Sequence, residues 1–212
     1  MKPTIDQIRE VCSDDVDRPN LAAPFACRLG GEPWIVGTDG RCALAVRATE
    51  EEAAAHVIGG APDFAAVVRW PLPSGVVVGV EALRAWAVVR GEERRECELC
   101  EGAGTHECDC GDVHACSVCE GCGTEIAPFR DRCAVIRRAP SVYVDALVVR
   151  RAVGWLIEGD VEVAVEGPVA PVVFRSVGTV DWFAVVMPMR DSVAEEWLET
   201  AGLAALLPAV RG

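Results

Sequence analysis

Apolar and polar residues follow two different periods along this chain, and the switches between them mark its elements. Ile5, Ile8 and Cys12 recur at helical spacing behind Thr4 and Gln7. That pair can satisfy the free N–H groups at a helix start, so a helix is expected from about 4 to 13. After the breaker-rich DDVDRPN come PFACRLG, EPWIVGTDG and RCALAVRA, separated by Gly-Gly and Asp-Gly. Short apolar runs parted by such turns predict a three-stranded meander. Between 48 and 78, EEAAAHVIGG reads as a short helix and RWPLPSG as a turn-rich connection. Val80, Leu83 and Trp86 then share one face of a helix expected to end near Arg90.

Further along, Asp145 is placed to cap a helix running to about Ile157. It is apolar on most sides and therefore buried, so Arg150 and Arg151 must find water or a partner. Val161, Val163 and Val165 alternate with Glu162, Ala164 and Glu166, the period of a half-exposed strand. PVVFRS and DWFAVVMPM predict two more strands. Ser192 with Glu195 forms a second capping pair, and Val193, Trp197 and Ala201 lie on one stripe of an expected docked C-terminal helix. The order is helix and three strands, a middle helix, then helix and three strands again. This is an α+β pattern with a weak internal repeat of architecture.

Composition narrows the class. The chain has 212 residues, 51% of them hydrophobic, enough for a real buried core. No stretch reaches the ~18 uninterrupted apolar residues of a membrane span, so a soluble, cytoplasmic protein with no membrane partner is expected. The formal charge is −13 with Lys2 the single lysine, a balance that opposes non-specific binding of nucleic acid by the whole surface. A local basic face is compatible with it.

Seven of the eleven cysteines fall between Cys97 and Cys122, while Cys12, Cys27, Cys42 and Cys133 are scattered. Cys97-x-x-Cys100-x-Gly102-x-Gly104 and Cys116-x-x-Cys119-x-Gly121-x-Gly123 repeat one pattern about twenty residues apart. Zinc takes four soft ligands in a tetrahedron, a two-residue spacer lets neighbouring thiolates share one ion, and the glycines permit a tight turn behind them. One ion on Cys97, Cys100, Cys116 and Cys119 is the first expectation, and a second could use Cys108, Cys110, His114 and Cys122. A rival partition pairs Cys97 and Cys100 with Cys119 and Cys122, leaving Cys108, Cys110, His114 and Cys116 inside; the sequence leaves both open. His106 is as compatible with a surface position as with a ligand. So many thiolates and imidazoles build closed sites more easily than an open catalytic one. From Cys97 to Gly123 there are six acidic residues and no Lys or Arg, so the insert is expected to face protein rather than phosphate.

The repeated motif resembles the cysteine-rich domain of DnaJ-type co-chaperones, where it occurs four times and pairs of repeats share a zinc. Only two copies occur here, and the His-Pro-Asp tripeptide of that family's J-domain is absent, so its co-chaperone function is not carried over.

Outside the insert, Arg18-Pro19-Asn20-Leu21 followed by Trp34-Ile-Val-Gly-Thr38-Asp39-Gly40-Arg41-Cys-Ala-Leu44 resembles a segment of bacterial DNA polymerase III β sliding clamps. Pro171-Val-Val-Phe174 and Phe183-Ala-Val-Val186-Met187-Pro188-Met189-Arg190 resemble the closing strands of the same family. The resemblance implies one clamp-like domain of two helix-plus-three-strand units, with helices toward a DNA-filled hole and sheets outward. The expected divisions are 1–95 and 125–190 for the two halves of the body, 96–124 for the insert and 191–212 for the C-terminal helix. It also implies a greasy cleft for partner peptides, in which Thr38, Gly40, Arg41 and Leu44 approach Val186, Met187, Pro188 and Met189, within one chain or across a subunit boundary. Flexible methionines suit varied ligands. Lys2, Arg9, Arg84, Arg150 and Arg151, on or beside predicted helices, are the candidates for a DNA-facing lining. The chain departs from the family in being much shorter, in carrying the insert, and in continuing beyond Met-Pro-Met.

No nucleotide-binding glycine loop, H-E-x-x-H, G-x-S-x-G or dinucleotide fingerprint occurs. The expectation is a non-enzymatic zinc-binding scaffold of DNA replication, repair or phage-type DNA metabolism, with other proteins and double-stranded DNA as expected partners and a homo-oligomer compatible with the fold. The alternative is a zinc-stapled interaction or chaperone-like module without a DNA role.

Overall fold

The computed structural model describes residues 2–91, 94–97, 99–107, 112–117, 119, 121–126, 133–138, 141–167 and 169–189. The expected C-terminal helix, together with Cys108 and Cys110, lies outside them.

Helix α1 spans Ile5–Glu10, and its start is the capping box read from the sequence, Thr4 and Gln7 each accepting from the other's backbone N–H. Strands β1 (Phe25–Leu29), β2 (Glu32–Thr38) and β3 (Cys42–Arg47) form the expected antiparallel meander. Thr49 and Glu52 build a second capping box for α2 (Glu50–Ala54), and β4 (Val76–Gly79) leads directly into α3 (Val80–Gly91). Inside the cysteine-rich segment are β5 (Arg94–Glu96), β6 (Thr105–Glu107), β7 (Val113–Ala115) and β8 (Thr124–Ile126). Then come β9 (Cys133–Arg138) and β10 (Ser141–Asp145), a hairpin absent from the sequence reading, and α4 (Ala146–Val153). Asp145 caps α4 through the Leu147 N–H, 2.9 Å, but the helix stops at Gly154, short of the expected Ile157. Strands β11 (Asp160–Val165), β12 (Val172–Ser176) and β13 (Trp182–Val186) are the last strands among the described residues.

The strands of the two halves share one seven-stranded antiparallel sheet in the order β1-β2-β3-β13-β12-β11-β4. The join is β3 against β13, with Leu44 opposite Ala184 and Cys42 opposite Val186. Alternation along the strands sorts side chains strictly by face. Ile35, Leu44, Val46, Val163, Phe174, Ala184 and Val186 pack with Ile8, Leu83 and Val149, so α1, α3 and α4 lie on one face. Trp34, Val36, Ala45, Val173, Phe183 and Val185 pack with Phe64, Val68 and Leu72 on the other. That second face carries the aromatic group Phe25, Trp34, Phe64, Trp70 and Phe183, whose ring centroids lie 5.1–6.5 Å apart along the chain of contacts. Each large buried side chain contributes about 1.5–3 kcal/mol, so this body is held by burial on two faces. The segment around 64–72, for which the sequence predicts no helix or strand, is therefore a cover for the sheet.

Candidate functional site

Two places concentrate chemistry: the four-cysteine cluster and the turn that follows β2.

In the insert, β5 pairs with β8 and β6 with β7, and the two glycine knuckles face each other with approximate two-fold symmetry. The Cys97 N–H donates to the Gly123 carbonyl at 3.0 Å, and the Cys116 N–H to the Gly104 carbonyl at 2.8 Å. The Gly104 N–H points at Cys100 Sγ, 3.3 Å, and the Gly123 N–H at Cys119 Sγ, 3.2 Å. Both glycines sit at positive φ, 74° and 75°. A Cβ on Gly104 would lie 2.4 Å from the Gly121 oxygen, and one on Gly123 would lie 2.3 Å from the Gly102 oxygen. Only glycine allows this turn and this approach, which explains the motif's glycines.

The result is four buried sulfurs, Cys97, Cys100, Cys116 and Cys119, all within 4.8 Å of one another. Cys97 Sγ lies 3.7 Å from Cys116 Sγ, and Cys100 Sγ lies 3.7 Å from Cys119 Sγ. A tetrahedral ion with Zn–S bonds of about 2.3 Å requires S–S edges of about 3.8 Å, whereas a disulfide would need about 2.05 Å. The donor set and spacing thus fit a four-coordinate divalent metal. Burial pushes the Cys97 thiol up and the Cys119 thiol up to about 12. These groups resist ionising unaided, and a bound cation would supply the missing charge compensation. Cys122 stands outside the four, exposed, with its thiol 2.9 Å from the Thr124 carbonyl. His106 and His114 are cross-strand partners between β6 and β7, and His114 is exposed.

The second place is built on Asp39, only 6% exposed. Its Oδ1 accepts from the backbone N–H groups of Arg41, 2.8 Å, and Cys42, 2.9 Å, closing the turn. Thr38 Oγ1 donates to the Cys42 carbonyl and accepts from the Gly40 N–H. From α4, Arg151 reaches Asp39 Oδ2 at 3.1 Å, the Glu10 carbonyl at 3.1 Å and the Cys12 carbonyl at 3.0 Å. One guanidinium thereby ties the end of α1, the turn and α4 together. Sequence reasoning left Asp39 as an ordinary turn residue; its burial depends on Arg151, 112 positions away.

The Met-Pro-Met segment meets this turn within the one chain. The Met187 N–H donates to the Arg41 carbonyl at 2.9 Å, extending the β3–β13 pairing, and the Met189 N–H donates to the Tyr143 carbonyl at 2.8 Å. Of the eight cleft residues expected, Leu44, Val186 and Thr38 are buried beneath the surface. Gly40 and the Arg41 and Met187 side chains are exposed, and Pro188 and Met189 are half-buried. A position at the Gly40 Cβ adjoins Leu21 at 3.7 Å and Arg18 at 3.3 Å. Leu21 and Gly40 thus lie beside the Arg18 guanidinium, and the Met187 backbone is bonded to that of Arg41, the residue after Gly40. Arg18 and Leu21 were missed as site residues, although both stand in the Arg-Pro-Asn-Leu stretch of the resemblance.

Around the corner, Gln7, Glu10, Arg41, Leu147, Arg150, Arg151 and Trp155 line a cleft of about 600 Å³ between α1 and α4. Lys2, Arg9 and Arg84 are exposed, and Arg9 pairs with Asp6 at 2.9 Å. Arg9, Arg84, Arg150 and Arg151 all belong to the helices that share one face of the sheet.

Searched against protein-family models and against curated proteins, the sequence matches none. Solved structures do match its fold, which is sliding-clamp-like. The DnaN sliding clamp of Bartonella birtlesii bound to griselimycin is 12% identical with a TM-score of 0.53, covering 88% of this chain and 62% of the clamp. DNA polymerase III subunit beta of Borrelia burgdorferi in complex with a natural product is 8% identical with a TM-score of 0.54, covering 88% and 61%. The Helicobacter pylori beta clamp bound to a DNA ligase peptide is 11% identical with a TM-score of 0.51, covering 88% and 62%. The chain thus matches only about three-fifths of each clamp subunit. Among the described residues no helix is long and apolar enough to cross a membrane.

Proposed function

We propose that this protein is a non-enzymatic, zinc-binding scaffold of DNA metabolism, in which a clamp-like body offers a cleft to partner peptides. The observation that carries the reading is the Thr38–Arg41 turn seated against Met187 in one continuous sheet, with apolar and cationic groups exposed side by side. Zinc is the metal assigned to Cys97, Cys100, Cys116 and Cys119, since four thiolates in a closed tetrahedron suit it. The ion would hold the insert shut as a second, acidic surface for protein contact. Duplex DNA is assigned to the helix-bearing face, where Arg84 and Arg150 offer positive charge within about a Debye length, ~8–10 Å. Pairing or ring formation by copies of the chain would retain DNA topologically, so the overall charge of −13 does not oppose it.

Fluorescence anisotropy with a labelled DNA ligase peptide tests the cleft. Micromolar binding that Met187→Asp weakens at least tenfold is expected; no binding at any accessible concentration would remove the clamp-type function. Indifference to circular duplex DNA with retained peptide binding would favour an interaction module without a DNA role.

A further inference from the structure

Apart from Arg41, the cleft of about 600 Å³ between α1 and α4 takes no part in the peptide reading. Its size lies within the roughly 300–1,000 Å³ that small-ligand sites occupy. The lining sets three guanidinium groups, Arg41, Arg150 and Arg151, beside the apolar side chains of Leu147 and Trp155. Against them stand two carboxylates, Glu10 and Asp39, and Asp39 is already committed. One of its oxygens accepts from the Arg41 and Cys42 N–H groups, and the other meets Arg151 at 3.1 Å and Arg41 at 3.8 Å. Arg151 is fixed further by the Glu10 and Cys12 carbonyls and forms a rigid wall. Arg41 reaches Asp39 only at long range with a side chain 67% exposed, so it can turn to an incoming anion. Beside this charge the cleft offers a flat apolar surface. Trp155 is half-buried, its Nε1 donates to the Ala152 carbonyl at 3.1 Å, and its ring meets Trp182 edge-on with centroids 4.9 Å apart. The indole is thereby held in one pose, with part of it left to the cleft. A ligand that matches both features carries a planar, polarisable part and an anionic part on one small frame. A nucleotide does so, since any base stacks on an aromatic ring and phosphate pairs with guanidinium. Resting on the assignment of the helix-bearing face to DNA, we infer that this cleft takes one unstacked nucleotide of a single strand, its base against Trp155 and Leu147 and its phosphate on Arg41 and Arg150. A duplex does not present such a base without the cost of unstacking it. The cleft thus gives this face a preference for single strands, or for junctions where a strand leaves the duplex.

Fluorescence anisotropy of a short labelled oligo(dT) with the full chain reads this site. Binding is expected to be tighter than to a duplex of the same length, and Trp155→Ala should weaken it about 10-fold or more, while Trp155→Phe, which keeps a ring for stacking, retains most of the affinity. Arg41→Gln changes an exposed side chain and leaves folding alone. It should lower the slope of log affinity against log salt by about 0.7, the share of one phosphate contact on a single strand. An abasic oligomer of the same length should bind more weakly than oligo(dT). Equal affinity for the abasic oligomer, or no effect of Trp155→Ala and Arg41→Gln alike, would overturn the inference. Thymidine monophosphate that binds as tightly as the oligomer would overturn the assignment to a strand. Retention on circular duplex DNA without oligo(dT) binding would overturn the inference while leaving the DNA reading standing. Indifference to both would overturn both.

Discussion

The seven-stranded body and the cysteine insert solve the same problem by opposite means. The body buries Trp34, Phe25, Phe174, Phe183, Ile8 and Leu44 on two faces of one sheet, and its polar contacts serve mainly to join elements. In the insert, the only buried hydrophobic cluster among the described residues is the four cysteines themselves. Its strands are three residues long, and all of β7 is exposed. A strand pair of that length is marginal in water. The body has burial on two faces to hold it; the insert has instead four sulfurs spaced so that they could share a metal ion.

Replacing a ligand should therefore separate the two most sharply. Cys116→Ser is expected to abolish stoichiometric zinc binding, measured by elemental analysis, and to melt the insert, since structural zinc supplies about 10–16 kcal/mol to small sites. The body's cooperative unfolding should shift by no more than a few degrees. Next in size is Asp39→Ala, which leaves Arg151 facing a lost carboxylate at the point where α1, the turn and α4 meet. A cost of about 3 kcal/mol is expected in denaturant unfolding of the body, with metal content unchanged.

Glu162 offers a smaller, pH-dependent handle. It accepts from Arg175 at 2.8 and 3.1 Å and from the Gly75 N–H at 2.7 Å, joining β4, β11 and β12. The Arg175 guanidinium, aided by that N–H, holds its carboxyl below the usual range. Its stabilising contribution is complete above the ordinary glutamate pKa of about 4.3 and fades as pH falls through the lowered folded value. Glu162→Gln should remove about 1–2 kcal/mol at neutral pH, and the difference from the parent should shrink in acid. The smallest effect on stability, under about 0.5 kcal/mol, is expected for Met187→Ala, because that side chain is 41% exposed. Its consequence should appear in peptide affinity instead.

The contrast also separates what the sequence made legible from what it hid. Local signals were clear: the Thr4–Gln7 capping box, the β1–β3 meander, the alternating valines of β11 and the repeated C-x-x-C-x-G-x-G are all recorded within a few neighbouring residues. The knuckles announce themselves because metal geometry constrains short spacings. What stayed hidden depends on distant partners. β4 is four residues long and becomes a strand only by pairing with β11, and β9–β10 gave no turn signal strong enough to mark a hairpin. The cover formed by Phe64, Val68 and Leu72 has no periodicity of its own and is ordered by the aromatic face beneath it. Arg151 reads as a charged residue on an apolar helix, and its role appears only when Asp39 and the end of α1 arrive beside it.

Hydrogen exchange with mass readout, on zinc-loaded protein before and after a strong chelator, tests this division most directly. Segments within 97–123 should lose protection when the metal is removed, while those covering 32–47 and 160–186 keep theirs. Equal loss of protection in both regions, or an insert that stays protected without metal, would contradict the account.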